Sequence, residues 1–320
     1  MKKLILSAWA IASLNAALAQ PNTLSLSQSG SENNALATQQ GRTNTGTVSV
    51  AGDNNYASFE QSGDYLSGGI SIVGSRNNAL VQADHYLNET TISQTGNDNL
   101  GIAFSTFRSD HNQVTLTQVG DRNTGQAYSI DHSDDNHIGV TQTGSGNTGE
   151  AYSSYHSTHN LISISQTGDA NTGTAYALSS DRNQISLSQT GDGNRGYATA
   201  SSSDRNQISL AQSGDNNIGL ISSNDGSYNR GSMSQIGSNN DAQLSQAGSV
   251  NTASVMQEGN DNTLSDLERD PNVRYRIRYF GAVQQGYGNS FSLTQTGDGN
   301  TLRFGQTGNN NTATVAQTSY

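Results

Sequence analysis

Residues 162–171 read Ile162-Ser163-Ile164-Ser165-Gln166-Thr167-Gly168-Asp169-Ala170-Asn171. Apolar and polar residues alternate over the first five positions, which is the period of a strand with one buried face. The following Gly168-Asp169-Ala170-Asn171 supplies residues that tolerate positive φ or bond their own backbone, so the chain turns. A strand of about five residues cannot bury a face alone. Stacked copies of it can, and that is the logic of a solenoid. Leu26-Ser27-Gln28 and Phe291-Ser292-Leu293-Thr294-Gln295 show the same alternation.

Outward from this stretch, the pattern Gln-x-Gly-x-x-Asn occurs fourteen times. Its first copies are Gln28, Gly30, Asn33; Gln39, Gly41, Asn44; Gln94, Gly96, Asn99; Gln118, Gly120, Asn123; and Gln142, Gly144, Asn147. Then come Gln166, Gly168, Asn171; Gln189, Gly191, Asn194; Gln212, Gly214, Asn217; Gln235, Gly237, Asn240; and Gln246, Gly248, Asn251. The last are Gln257, Gly259, Asn262; Gln284, Gly286, Asn289; Gln295, Gly297, Asn300; and Gln306, Gly308, Asn311. The Asn position alone recurs every 11 to 13 residues from Asn33 to Asn262, with Leu66 the one substitution, and resumes at Asn289.

From Gln94 to Gln235 the full motif returns every 23 or 24 residues, with a weaker unit such as Asp110-His111-Asn112 or Asp181-Arg182-Asn183 between copies. Strong and weak units alternate, so two units make one coil. The expected fold is all-β: a β-solenoid with two short strands per turn of 22–24 residues, like units lying one strand spacing apart, ~4.8 Å. Side-chain amides carry donors and an acceptor, so Gln and Asn at fixed positions can bond the copy above and the copy below. Ala35, Ala37 and Gln39 are expected to face inward with Gln28. Phe104, Tyr128, Tyr152 and Tyr176 recur every 24 residues and are expected to form an aromatic stack.

Composition excludes several classes. Charged residues make up 13% of the 320, apolar residues 31%, and there is no Cys. An α/β enzyme with a large aliphatic core does not fit these values. Disulfides cannot staple the chain. The net charge of −11 argues against nucleic acid as a partner. Carboxylates recur with the repeat rather than gathering once in a cleft, so catalysis is not expected. Lys2 and Lys3, the apolar run from Leu4 to Leu14 and the small residues Ala17-Leu18-Ala19 read as a signal peptide over 1–19. That run is too short to span a membrane. The expected organisation is a signal peptide (1–19), a solenoid (20–262), an irregular insertion with a basic strand (263–283) and a continuation of the solenoid (284–320).

In three places the fuller pattern Gln-x-Gly-x-x-Asn-x-Ala-x-x-x-Gln stands whole: Gln28 to Gln39 with Ala35, Gln246 to Gln257 with Ala253, and Gln306 to Gln317 with Ala313. Here the sequence resembles the curlin family, the subunits of bacterial curli fibres. The resemblance implies a secreted functional-amyloid subunit, exported by curli-type outer-membrane secretion machinery. It implies assembly with itself and with a second curlin subunit into adhesive biofilm fibres, as main subunit or as nucleator. It implies no cofactor, and it makes the Gln, Gly and Asn positions above the assembly residues. Repeats start soon after the leader and run to Gln317, so both terminal rungs are expected to recruit further chains.

Three features stand outside this scheme. Arg274, Arg276 and Arg278 share one face of an alternating stretch in the insertion. They read either as a solvated face beside Asp turns or as a docking site for an anionic partner such as polysaccharide. His132 and His156, 24 residues apart, would stack on adjacent rungs near His137 and His159. Exposed loop histidines explain them as well as a shared metal does, and no metal is expected there or at the Asp turns. A secreted solenoid that binds ice or carbohydrate is the alternative of another class. Its mark would be a sustained outward Thr-x-Thr array, which the sequence lacks.

Overall fold

The computed structural model describes residues 22–264 and 282–319, together with the backbone of Trp9–Leu14. Among these residues every regular element is a strand. The chain divides into two compact units, 1–160 and 161–320.

The first unit holds β1 (Trp9–Leu14), β2 (Thr23–Ser29), β3 (Asn34–Gln40), β4 (Thr45–Ala51), β5 (Tyr56–Asp64), β6 (Ser67–Val73) and β7 (Asn78–Tyr86). It continues with β8 (Glu89–Thr95), β9 (Leu100–Thr106), β10 (Gln113–Val119), β11 (Thr124–Ile130), β12 (His137–Thr143) and β13 (Thr148–Ser154). Each strand pairs in parallel with the strand two further on, so odd strands build one sheet and even strands the other. This is the expected β-solenoid with two strands per coil. β1 falls inside the segment read as a signal peptide, and its backbone pairs with β3.

The second unit begins with β14 (Leu161–Thr167), β15 (Thr172–Leu178), β16 (Gln184–Thr190), β17 (Arg195–Ser201), β18 (Gln207–Ser213), β19 (Ile218–Asn224), β20 (Arg230–Ile236), β21 (Asp241–Ala247) and β22 (Thr252–Glu258). Then follow β23 (Thr263–Leu264), β24 (Ala282–Gln285), β25 (Ser290–Thr296), β26 (Thr301–Leu302), β27 (Gly305–Thr307) and β28 (Thr312–Thr318). The even series runs β14-β16-β18-β20-β22-β25-β28 in parallel register. The odd series runs from β15 to β21 and then splits.

At the two ends of the expected insertion, Thr263 and Leu264 and then Ala282 and Val283 pair with β21. β23 lies opposite Asp241 and Ala242, while β24 lies opposite Leu244 to Ala247. Two short pieces thus lie over the single strand β21, and residues 265–281 between them are outside the described residues. Both pieces keep the parallel register of β21. Arg274, Arg276 and Arg278 lie outside the described residues.

Within each coil the two inward faces are complementary in size. The even strands contribute Val114, Leu116, Ile138, Val140, Ile185 and Leu187, all buried. The odd strands opposite contribute small residues, with Ala127, Ala151, Ala175 and Ala198 buried. A Cβ at Gly125 would collide with Leu116, and one at Gly196 with Leu187. Where the odd strand carries the bulk, as at Phe59 or Ile221, the facing residue is Gly46 or Gly231. Large against small keeps a thin interior filled.

Candidate assembly interface

The motif Gln lies inward, where an amide must find partners or cost stability. It finds two. One Nε2 hydrogen goes to Oε1 of the Gln on the next rung: Gln94 to Gln118 and Gln118 to Gln142, both 2.8 Å. The second unit continues the pattern with Gln166 to Gln189 and Gln189 to Gln212 at 2.8 Å, then Gln212 to Gln235 and Gln235 to Gln257 at 2.9 Å. The second unit's column ends with Gln257 to Gln295 at 2.9 Å and Gln295 to Gln317 at 2.8 Å. A shorter column on the odd strands joins Gln246 to Gln284 at 3.0 Å and Gln284 to Gln306 at 3.1 Å. The other hydrogen crosses to the opposite sheet, as from Gln118 to Leu100 O (3.0 Å) or Gln189 to Thr172 O (2.9 Å). Each Gln therefore ties rung to rung and sheet to sheet.

The Asn column forms at the strand entrance. Asn55 donates its backbone N–H and its Nδ2 to Asn33 Oδ1, both at 3.0 Å, and Nδ2 also to Gly74 O at 2.7 Å. Asn77 and Asn99 repeat this geometry, as do Asn194, Asn217 and Asn240 in the second unit. Leu66 accepts nothing, so that column stops: its N–H still donates to Asn44 Oδ1 at 2.9 Å. The motif Gly has a positive φ and sits against the Gly carbonyl of the next rung. A Cβ on Gly30 would strike Gly52 O, and one on Gly168 would strike Gly191 O. The motif residues thus hold three separate columns.

The acidic turns have a role that spacing did not suggest. The residue after the motif Gly donates its N–H to the turn carboxylate of the next rung: Ser31 to Asp53 (2.8 Å), Asn97 to Asp121 (2.7 Å), Asp169 to Asp192 (2.7 Å), Asp192 to Asp215 (2.9 Å). Two exposed arginines add ion pairs across rungs, Arg42–Asp64 and Arg76–Asp98, both 2.6 Å. The Arg42 hydrogen bond holds the Asp64 carboxyl below its usual range. Buried serines were also missed. Asn112 and Asn136 donate to Ser105 Oγ and Ser129 Oγ at 3.2 Å in rungs whose odd strand lacks Gln.

Phe104 and Tyr128 meet edge to face at 5.4 Å, and Tyr128 and Tyr152 lie tilted at 4.6 Å. His132 and His156 stack at 4.9 Å. Among the described residues no group of three or more His, Cys, Asp or Glu could hold a metal ion. No helix there is long and apolar enough to cross a membrane.

The end strands differ from all others. In β2 and β28 the inward positions are only half-buried, against full burial along β14 or β16. Gln28 has neither amide atom paired, because the next rung offers Val50. Gln39, Gln94 and Gln246 each begin a column, and each has an unpaired Oε1. At the far end Gln306 and Gln317 donate to Ser290 O (3.2 Å) and Thr301 O (3.0 Å). Each column is therefore polar: it opens on an acceptor and closes on a donor.

These features define a class, a β-solenoid repeat protein held by internal amide ladders. The family model of the curlin associated repeat matches residues 22–49, 237–265 and 286–318, so these three segments are similar to curlin-type repeats. No curated protein matches the chain. The matched segments are those where both sheets carry the motif Gln. Between them β5 carries Gln61, while the later odd strands of the first unit carry Ala83, Ser105, Ser129 or Ser153 at that position.

Proposed function

We propose that this protein is a structural subunit of a secreted curli-type amyloid fibre, polymerising head to tail, and that the fibre serves biofilm matrix and cell adhesion. The observation that carries this reading is the polarity of the Gln columns. The β28 end offers amide hydrogens on Gln306 and Gln317, and the β2 end offers unpaired acceptors on Gln28 and Gln39. Stacking β28 of one copy on β2 of the next joins the columns and covers Leu24, Leu26, Ala313 and Val315. The motif Gln, Gly and Asn positions are then the assembly residues, both within a copy and between copies. Removal of residues 1–19 as a signal peptide would also free β3 from β1 and open the second strand of that edge. A second curlin subunit would engage the same edges, and curli-type machinery would export the chain. Arg274, Arg276 and Arg278 are assigned to an anionic partner, and their replacement by Ser is expected to reduce surface attachment.

The test is seeded polymerisation of the chain beginning at residue 20, followed by thioflavin T. Sonicated fibres should abolish the lag, and Gln306→Leu/Gln317→Leu should slow elongation. A soluble monomer that ignores seeds would contradict the proposal.

A further inference from the structure

Three successive turns of the first unit, after β9, β11 and β13, belong to rungs 24 residues long, where earlier rungs have 22. Each places two consecutive non-glycine residues in the left-handed region: Phe107 and Arg108 (φ 60° and 62°), Asp131 and His132 (60° and 59°), Tyr155 and His156 (both 60°). That conformation costs roughly 1–2 kcal/mol per residue. Such strain persists where the surroundings over-determine it, often at functional positions. Here the turns are anchored from beneath. Ser133 donates its N–H to Ser109 Oγ (3.0 Å), and Ser157 to Ser133 Oγ (3.3 Å). Backbone bonds from His132 to Phe107 O (3.0 Å) and from His156 to Asp131 O (2.9 Å) hold the turns in register.

The result is a column of equivalent positions, Phe107, Asp131 and Tyr155, along one edge. Phe107 and Tyr155 are 65% and 59% exposed, against 36% for Tyr56 and 41% for Tyr65 and Tyr86. Phe107 and Tyr155 stand two rungs apart, about 10 Å at the usual strand spacing. Beside them runs a second column, Arg108, His132 and His156. Two exposed rings held at a fixed two-rung interval form a pair of separate platforms rather than an apolar patch.

We infer that this edge binds a β-linked neutral glycan laid along the solenoid axis. In an extended β-linked chain successive sugars face opposite ways, so the same sugar face returns once per disaccharide, close to the two-rung interval between Phe107 and Tyr155. The rings stack on the C–H faces of alternate sugars. Asp131 accepts from the hydroxyls of the sugar between them, and Arg108 and His132 donate to ring and hydroxyl oxygens. A protein partner fits less well, because a carboxylate separates the two rings and leaves no continuous apolar patch. A polyanion would meet Asp131, Asp134 and Asp135.

Fluorescence anisotropy of labelled cellohexaose, titrated with assembled protein, tests this, with labelled maltohexaose as the α-linked control. Asn tolerates the left-handed region, so Phe107→Asn/Tyr155→Asn keeps the turns and should weaken cellohexaose binding at least about tenfold. Asp131→Asn should weaken it in the same direction, and Tyr228→Asn in the second unit should leave it unchanged. Thioflavin T response should be equal in all variants, which separates glycan binding from assembly. No binding of cellohexaose, equal binding of maltohexaose, or undiminished binding by the double variant would overturn the inference.

Discussion

Two demands meet at the motif glycine: a positive φ, and contact with the carbonyl of the next rung. At Gly191 (φ 102°) an added Cβ would strike Gly214 O, whereas at Gly146 (φ 69°) it would meet open space. Gly191→Ala should therefore cost more than about 2 kcal/mol of stability, and Gly146→Asn should be near neutral, as read by denaturant unfolding of the unassembled chain. Gln189→Leu removes a side chain that donates to Thr172 O and Gln212 Oε1 and accepts from Gln166. Buried groups left unpaired cost about 1–3 kcal/mol each, so the loss should exceed that of Gln317→Leu at the column's end.

Asp84 behaves differently, because burial, and after it Glu60, raises its carboxyl above the usual range. Below the unfolded value both states are protonated and there is no penalty; above the folded value the penalty is complete. Asp84→Asn should thus raise Tm at pH 7 and leave it unchanged at pH 3. Residues whose role is set by spacing, such as Gln118 or Asn55, were legible in the sequence. Asp192 and Ser133 were not, since an acid or hydroxyl in a turn reads as solvated until the rung beneath it is in place.

At the scale of elements, the alternation in Ile162–Gln166 and the turn after it carried enough information to give strand, turn and the pairing of like units. The pairing of both β23 and β24 with β21 was not legible, because counting from Asn262 to Asn289 suggests two units with five residues over. The register shows one coil 38 residues long, from Gln246 to Gln284, in place of 22. Deleting residues 266–281 should restore that period, with Ser265 completing the strand opposite β21. The shortened chain should unfold within about 1 kcal/mol of the parent, the range of a well-tolerated loop change. A collapse of stability on deletion would show that residues 266–281 support the coil.

For the whole molecule, the account rests on one copy continuing the columns of another. A chain without cysteine permits a direct measurement, because a disulfide needs Cα atoms roughly 4.4–6.8 Å apart, a range that includes the strand spacing. Two variants, Gln28→Cys and Gln317→Cys, are mixed, assembled and oxidised, and the covalent dimers are counted. The account predicts abundant dimers in the mixture, linked between the two substituted positions, and few when either variant is assembled alone. Dimers from one variant alone, or none from the mixture, would contradict head-to-tail stacking of β28 on β2.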